Sequence, residues 1–263
     1  RKHVGNSARS AVEKSKVNSH INILVLFRFF RYNKCMFSFS KCQHPGCTHF
    51  AISDFDSNGN LVEKGSYCYA HIEDKDAHLQ KLYNYLQNHE KIVGLNASGI
   101  TFTNIDFSHK GFYGCNFSNC LFAGLNSKKV RVRMTNFNFS TFSDSNFIES
   151  NSHFSSYAGA KFIHVNLTGS DLIQDNFCGL SSLQSSFDDS DLYASYFINA
   201  KLINTSFRNC NIKETVFYEI EQENVSFRQS NTNAAIFDKR GSALFTGLEE
   251  LDVPRGVQKG PGL

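Results

Sequence analysis

Residues 190–210, SDLYASYFINAKLINTSFRNC, place a large apolar residue at Leu192, Phe197, Leu202 and Phe207, and a small one two places before each, at Ser190, Ser195, Ala200 and Thr205. A period of five belongs to neither an α-helix nor a flat strand. The same step carried from Phe102 to Phe237 visits 28 positions without an insertion or deletion, and 23 of them are Phe, Leu, Ile, Val or Tyr. The exceptions are Ser127, Ser152, Ser182, Gln222 and Thr232. Two residues before each centre the side chain is mostly small, as at Cys115, Cys120, Thr135, Ser140, Ala160, Ser170, Ala200 and Cys210. Where the centre is polar at Ser127, Ser182 and Gln222, the earlier position becomes Leu125, Leu180 and Ile220, so large and small exchange places. Enclosed volume is thereby kept, as a close-packed interior requires. The chain holds 26 Phe and no Trp, an imbalance that repetition explains.

The units SNF, SDL, VNL, CNI, AKL and CNF resemble the A(D/N)LXX repeats of pentapeptide-repeat proteins, over about residues 97 to 237. The resemblance implies a mainly β fold: a right-handed quadrilateral β-helix of about seven coils, four pentapeptides to a square coil, with the centre and the preceding small residue pointing inward. Glycine placement agrees independently. Gly99, Gly114, Gly124, Gly159, Gly169 and Gly179 all fall two residues after a centre, where a tight corner favours a residue without Cβ. One face then reads Phe117, Phe137, Tyr157, Phe177, Phe197, Phe217, Phe237. Such rings stack at the strand spacing, and seven coils at ~4.8 Å make a rod on the order of 34 Å long. The expected interior is solid, without a ligand cavity, which puts function on the outside or at the ends.

Outward, the residues after the centres on the Phe102 face run Ala123, Ser143, Ile163, Leu183, Ile203. Ile163, Leu183 and Ile203 form a candidate contact stripe, flanked by Lys161 and Lys201; the alternative is scattered surface apolarity. A basic cluster, Lys128, Lys129, Arg131 and Arg133, lies beside Met134, with Phe154 one coil on. It is either an acidic-partner patch or a solvated face. Topoisomerase (gyrase)-protecting members of the family are understood to be acidic, DNA-like rods. Here residues 97–237 carry twelve Asp/Glu against ten Lys/Arg, which disfavours a DNA mimic. DNA binding is not favoured either.

Ahead of the repeats, residues 36–72 form a different module. Cys42-x4-Cys47, with a turn at Pro45 and Gly46, is followed by Cys68-x2-His71. Thiolates and an imidazole in paired, short-spaced sets suit a tetrahedral structural zinc site, with Cys42, Cys47, Cys68 and His71 as ligands. The segment resembles short treble-clef or ribbon-like zinc fingers of the form CxxxxC then GxCxxH. His44 and His49 are rival ligands; His71 is preferred because Cys68 and His71 can share the first turn of a helix. Reduced structural cysteines are the competing reading. Residues 73–96 place Leu79, Leu82, Leu86 and Val93 at helical spacing, predicting an amphipathic helix that caps the first coil of a 97–240 rod. GSALFTGLEELDV in the 241–263 segment is predicted to cap the other end, with a loose tail.

Residues 1–41 carry nine Lys/Arg against Glu13 and include INILVLFRFF, an apolar run too short to span a bilayer. Residues 1–35 fit neither module. They are read as a disordered or upstream extension, with Met36 as the start and Ser38 four residues before the first zinc ligand. Together these readings predict a noncatalytic, cytoplasmic protein-interaction scaffold whose partner is an unidentified protein or a second copy of the chain. The alternatives are a gyrase-protecting DNA mimic and a finger that binds nucleic acid. Catalysis is not expected, since His109, His153 and His164 fall at outward positions without a matched nucleophile.

Overall fold

The computed structural model describes residues 40–62 and 64–238. The extension at 1–35, the start expected at Met36, Ser38, and the predicted cap and tail at 241–263 lie outside the described residues. Among the described residues no helix is long and apolar enough to cross a membrane.

The five-residue period becomes a parallel β-solenoid in which each residue pairs with the one twenty later. Seven strands, from Thr101–Thr103 to Glu221–Glu223, make one sheet, and five, from Lys91–Val93 to Asp171–Ile173, make another. The register is direct: Phe102 pairs with Phe122, Phe142 with Phe162, and Leu183 with Ile203. The other two sides pair through single bridges at the same spacing, such as Asn136 with Ser156 and Ser186 with Ser206. The aromatic column forms as expected. Phe177 lies 4.8 Å from Phe197 and 5.0 Å from Tyr157, ring on ring. A second column stacks Phe187, Phe207 and Phe227 at 4.8 and 5.2 Å.

Corners explain the repeat's polar position. Where the side chain before a centre is Asn or Asp, it commonly closes an Asx turn by accepting the N–H two residues on, as Asn136 does from Asn138 at 3.0 Å and Asp191 from Tyr193 at 2.9 Å. The corner residue that follows has positive φ. Gly179 sits there at 69°, but so do Asn199 at 54° and His164 at 54°, and Asn is among the residues that tolerate this region best.

The small inward residues do more than save space. Their N–H groups either close the preceding turn, as Ser140 does onto the Phe137 carbonyl, or donate to a side-chain oxygen one coil on. Cys120 N–H donates to Ser140 Oγ at 3.0 Å, Val130 to Ser150 at 3.1 Å and Ser170 to Ser190 at 3.1 Å. Two of those hydroxyls in turn donate to carbonyls, Ser140 Oγ to Phe117 O at 2.6 Å and Ser190 Oγ to Leu167 O at 3.0 Å. Ser and Thr are thus required as hydrogen-bonding groups in an interior where an unmade bond is costly.

The structure corrects the sequence reading in two places. The helix, α1, spans Lys75–Asn88, and Val93 belongs instead to the strand Lys91–Val93, because Ile92 takes an inward position in the first coil. Cys68 and His71 do share one helical turn, the 3-10 helix Tyr69–His71 that Cys68 N-caps, which is separate from α1. The interior is not fully solid: about 50 Å³ of void lies along the core, lined by residues from Phe107 to Leu172, Ser150 and Ser152 among them. At Ser152 the preceding inward residue is Ser150, so here no large residue compensates for a small centre, and Phe162 turns edge-on to Phe142 at 80°.

α1 starts at the N-cap Asp74, whose carboxylate accepts the Ala77 N–H, and it lays Leu82, Tyr85 and Leu86 into the core. Tyr83 Oη donates to the Thr101 carbonyl at 3.3 Å, which pins the helix to the first coil.

Phe177→Ala is expected to cost about 3–5 kcal/mol, because stacked rings on both sides hold the cavity open. Lys161→Ala on the exposed surface is expected to change little. Urea melts of both variants compare them, and equal losses would contradict the assigned register.

Candidate functional site

The N-terminal module draws four potential ligands together. A two-stranded ribbon, Asp54–Phe55 with Leu61–Val62, carries the chain out and back, and backbone bonds from Cys42 N–H to His49 O and from Gln43 N–H to Ser66 O hold its ends. Ligand atoms of Cys42, Cys47, Cys68 and His71 all lie within 4.8 Å of one another. Cys47 Sγ is 3.8 Å from Cys68 Sγ, and His71 Nδ1 is 3.4 Å from Cys42 Sγ and 3.3 Å from Cys68 Sγ. Of the rivals, His44 stacks flat on the His71 ring at 3.8 Å, and His49 Nδ1 stands 3.5 Å from Cys47 Sγ. The described cysteines are all free thiols.

The module is fastened to the rod at Asn96. Asn96 N–H donates to Ser53 Oγ at 2.9 Å, its side-chain amide donates to the Ala51 carbonyl at 2.8 Å, and Ser53 N–H donates back to the Asn96 carbonyl. The same residue begins a ladder in which Asn116 Nδ2 donates to Asn96 Oδ1 at 3.0 Å and Asn136 Nδ2 to Asn116 Oδ1 at 3.1 Å.

On the outside, Ile163, Leu183 and Ile203 stand in register on neighbouring strands; Leu183 is exposed and its neighbours are half-buried. Lys161 and Lys201 lie on one side of the column, and Lys201 pairs with Glu221 at 3.3 Å. The basic cluster is largely engaged within the rod. Lys129 pairs with Glu149 at 3.3 Å, Arg131 donates to the His109 carbonyl at 3.3 Å, and Arg133 Nη1 donates to the Val132 and Asn151 carbonyls at 2.8 and 3.0 Å. Met134 and Phe154 are exposed beside it. His109 is exposed at a corner, and His164 lies between Asp144 Oδ1 at 2.9 Å and Gln184 Oε1 at 2.7 Å. Those two hydrogen bonds raise the His164 pKa. His153 keeps its outward register position beside Arg133 and Ile173 but is half-buried: its Nε2 has no hydrogen-bond partner, and burial lowers its pKa.

Comparison with known proteins bears mainly on the repeats. The family model for pentapeptide repeats matches eight copies at residues 184–220. No curated protein matches the chain. Among solved structures, a trypsin-treated variant of QnrB1, a plasmid-mediated fluoroquinolone resistance protein, is 11% identical, covering 58% of this chain and 95% of its own, with a TM-score of 0.31. HetL, involved in heterocyst differentiation regulation in Nostoc sp. strain PCC 7120, is 11% identical, covering 64% and 98%, with a TM-score of 0.32. The pentapeptide-repeat protein Rfr23 from the cyanobacterium Cyanothece 51142 is 12% identical, covering 61% and 99%, with a TM-score of 0.28.

Among the described residues, one carboxylate occupies an inward position of the rod. Asp175 occupies a column of Thr135, Ser155, Ser195 and Thr215, and it is fully buried. Its Oδ1 does the work of the missing hydroxyl, accepting the Ser155 N–H at 2.8 Å, while its own N–H donates to Ser195 Oγ at 2.9 Å. The nearby Ser152 hydroxyl meets Tyr157 Oη at 3.1 Å, which leaves Oδ2 without a well-formed hydrogen bond. Burial pushes the carboxyl up to about 7, against the opposing pulls of Ser152, the Ser155 N–H and Arg133. The folded state therefore holds a proton that the unfolded chain releases near its ordinary carboxylate pKa. Stability contributed by this proton is full at acid pH and falls as pH rises from about 4 toward 7, by on the order of 4 kcal/mol. Asp175→Ser restores the hydroxyl of its column and is expected to remove that slope, making the variant more stable than the parent at pH 8. Denaturant melts at pH 5 and pH 8 check it; parallel pH profiles for the two proteins would contradict it.

Proposed function

From the premise that the chain is a pentapeptide-repeat protein, its matched repeats continued in the same register along the solenoid, we propose that it is a noncatalytic interaction scaffold. A zinc-stapled module and α1 close one end, and a protein partner docks on the outer face. The observation that carries the reading is the in-register column of Ile163, Leu183 and Ile203 on a rod whose interior is packed with its own side chains apart from a void of about 50 Å³. An apolar centre with a charged rim is the anatomy of a modest protein contact. Free thiols suit a reducing compartment such as the cytoplasm.

Zinc is supported by the chemistry and spacing of its donors. Tetrahedral Zn²⁺ with bonds of about 2.3 Å to sulfur and about 2.0 Å to nitrogen has S–S edges of about 3.8 Å and S–N edges of about 3.5 Å. The 3.8, 3.4 and 3.3 Å separations of the cluster fit that frame. Cys42, Cys47, Cys68 and His71 would hold the ion through three thiolates and Nδ1. Its role there is structural: it would join two ends of a module too small to hold itself together by core packing.

Two measurements test this reading. The purified protein is expected to contain about one zinc per chain by elemental analysis, and Cys47→Ser to release it while the β-rich circular dichroism of the rod persists; metal-free protein with an unchanged melting curve would overturn the zinc assignment. Leu183→Glu is expected to keep the parent's melt, since the side chain already meets water, while weakening association in sedimentation velocity, with itself or with a protein captured from the native host. A folded variant that keeps every partner and its oligomeric state would remove the stripe from the account.

A further inference from the structure

A cleft of about 280 Å³ lies between the N-terminal module and α1, away from the outer stripe and the repeats. Ile52, Ser53, Asp54, Ser66 and Tyr67 form its module wall, and Ile72, Glu73, Asp74, Ala77, His78 and Lys81 the other. Its chemistry is lopsided. Three carboxylates face one ammonium, and the apolar contributions of Ile52, Ile72 and Ala77 leave a path for an aliphatic stem.

His78 is the independent sign of a ligand. It is only 8 % exposed, it lines the cleft, and its ring makes no hydrogen bond among the described residues, with the Phe55 ring beside it at 5.8 Å. Its ring nitrogens are not buried atoms, so they open onto the cleft and not into the core. Burial lowers the His78 pKa, an effect that Lys81 reinforces and Asp54 opposes, so the neutral ring presents a lone pair to the cleft. The carboxylates near it are only partly used: Asp54 Oδ1 accepts the Phe55 N–H at 2.8 Å and Asp74 Oδ1 caps α1, leaving the second oxygen of each.

We propose that this cleft binds a basic side chain of a partner, with a guanidinium donating to the His78 ring nitrogen and to Asp54 while its stem lies along Ile52 and Ile72. Arginine fits better than lysine, because its planar fork can donate to an imidazole and a carboxylate at once, whereas an ammonium is a point charge. A metal ion is a poorer occupant: among the described residues the only group of His, Cys, Asp or Glu donors close enough for one is the cysteine cluster.

The probe is N-acetyl-L-arginine amide, with N-acetyl-L-citrulline amide as its uncharged isostere, titrated into the full-length protein. The His78 ring resonance, assigned by its loss in His78→Gln, is expected to shift saturably with the arginine probe and not with citrulline. Asp54→Asn, at the half-buried rim, is expected to weaken binding about tenfold, the loss of one charge-assisted hydrogen bond, while Lys81→Ala tightens it a few-fold. Shifts that never saturate, equal shifts from citrulline, or unchanged affinity in Asp54→Asn with a wild-type melt would each overturn the assignment. Should His78→Gln fail to fold, the Asp54 and Lys81 variants decide the matter by calorimetry.

Discussion

Backbone pairing between residues twenty apart is the constraint from which the rest of the rod follows. Asn116 donates back to the Leu95 carbonyl and Phe117 donates forward to the Asn136 carbonyl, so each coil satisfies, and is satisfied by, its neighbours on both sides. One inserted residue would turn every later inward side chain outward, which is why the fivefold step survives intact from Phe102 to Phe237. The same pairing carries the small inward residues past each other at coil spacing, and a hydroxyl there reaches the N–H of the preceding coil. Interior chemistry is therefore set by the ladder as much as by volume.

That explains what could and could not be read from the sequence. The register was legible because it repeats: many positions each give a weak preference for bulk, and together they admit one frame. The corner glycines were legible for the same reason, although the structure shows Asn, Asp and His sharing their positive φ. The hydroxyl columns were visible only as small residues, since Cys and Ala satisfy the volume rule equally well. Asp175 broke that rule in plain view, yet its burial could not be separated from a corner polar residue without the fold. At Ser150 and Ser152 the exchange of large and small fails, and both residues line the void in the core.

The N-terminal module shows the opposite balance. Cys42, Cys47, Cys68 and His71 announce themselves by residue type and spacing, and the fold brings all four together, although it does so through a 3-10 turn. The cleft beside them was invisible, because Asp54 and His78 belong to different segments and neither is unusual alone. Val93 misled for a related reason: an apolar residue at helical spacing also fits the first strand of a solenoid, and only pairing with Tyr113 decides between them.

Asn96 is where the two halves of the molecule meet, and its bonding determines how far events at one end can reach. Its amide holds the Ala51 carbonyl, its N–H holds Ser53, and its Oδ1 begins the asparagine ladder. Ordering the module therefore orders the edge of the first coil, which also receives Tyr83 from α1. Beyond that edge the solenoid has only nearest-neighbour contacts, and each later coil rests on stacked rings and hydrogen bonds that do not involve the module. A ligand at the metal cluster or the cleft consequently acts on the cap and the first coil. The stripe around Leu183, several coils away, is held by its own neighbours and presents a fixed face whether or not the module is loaded.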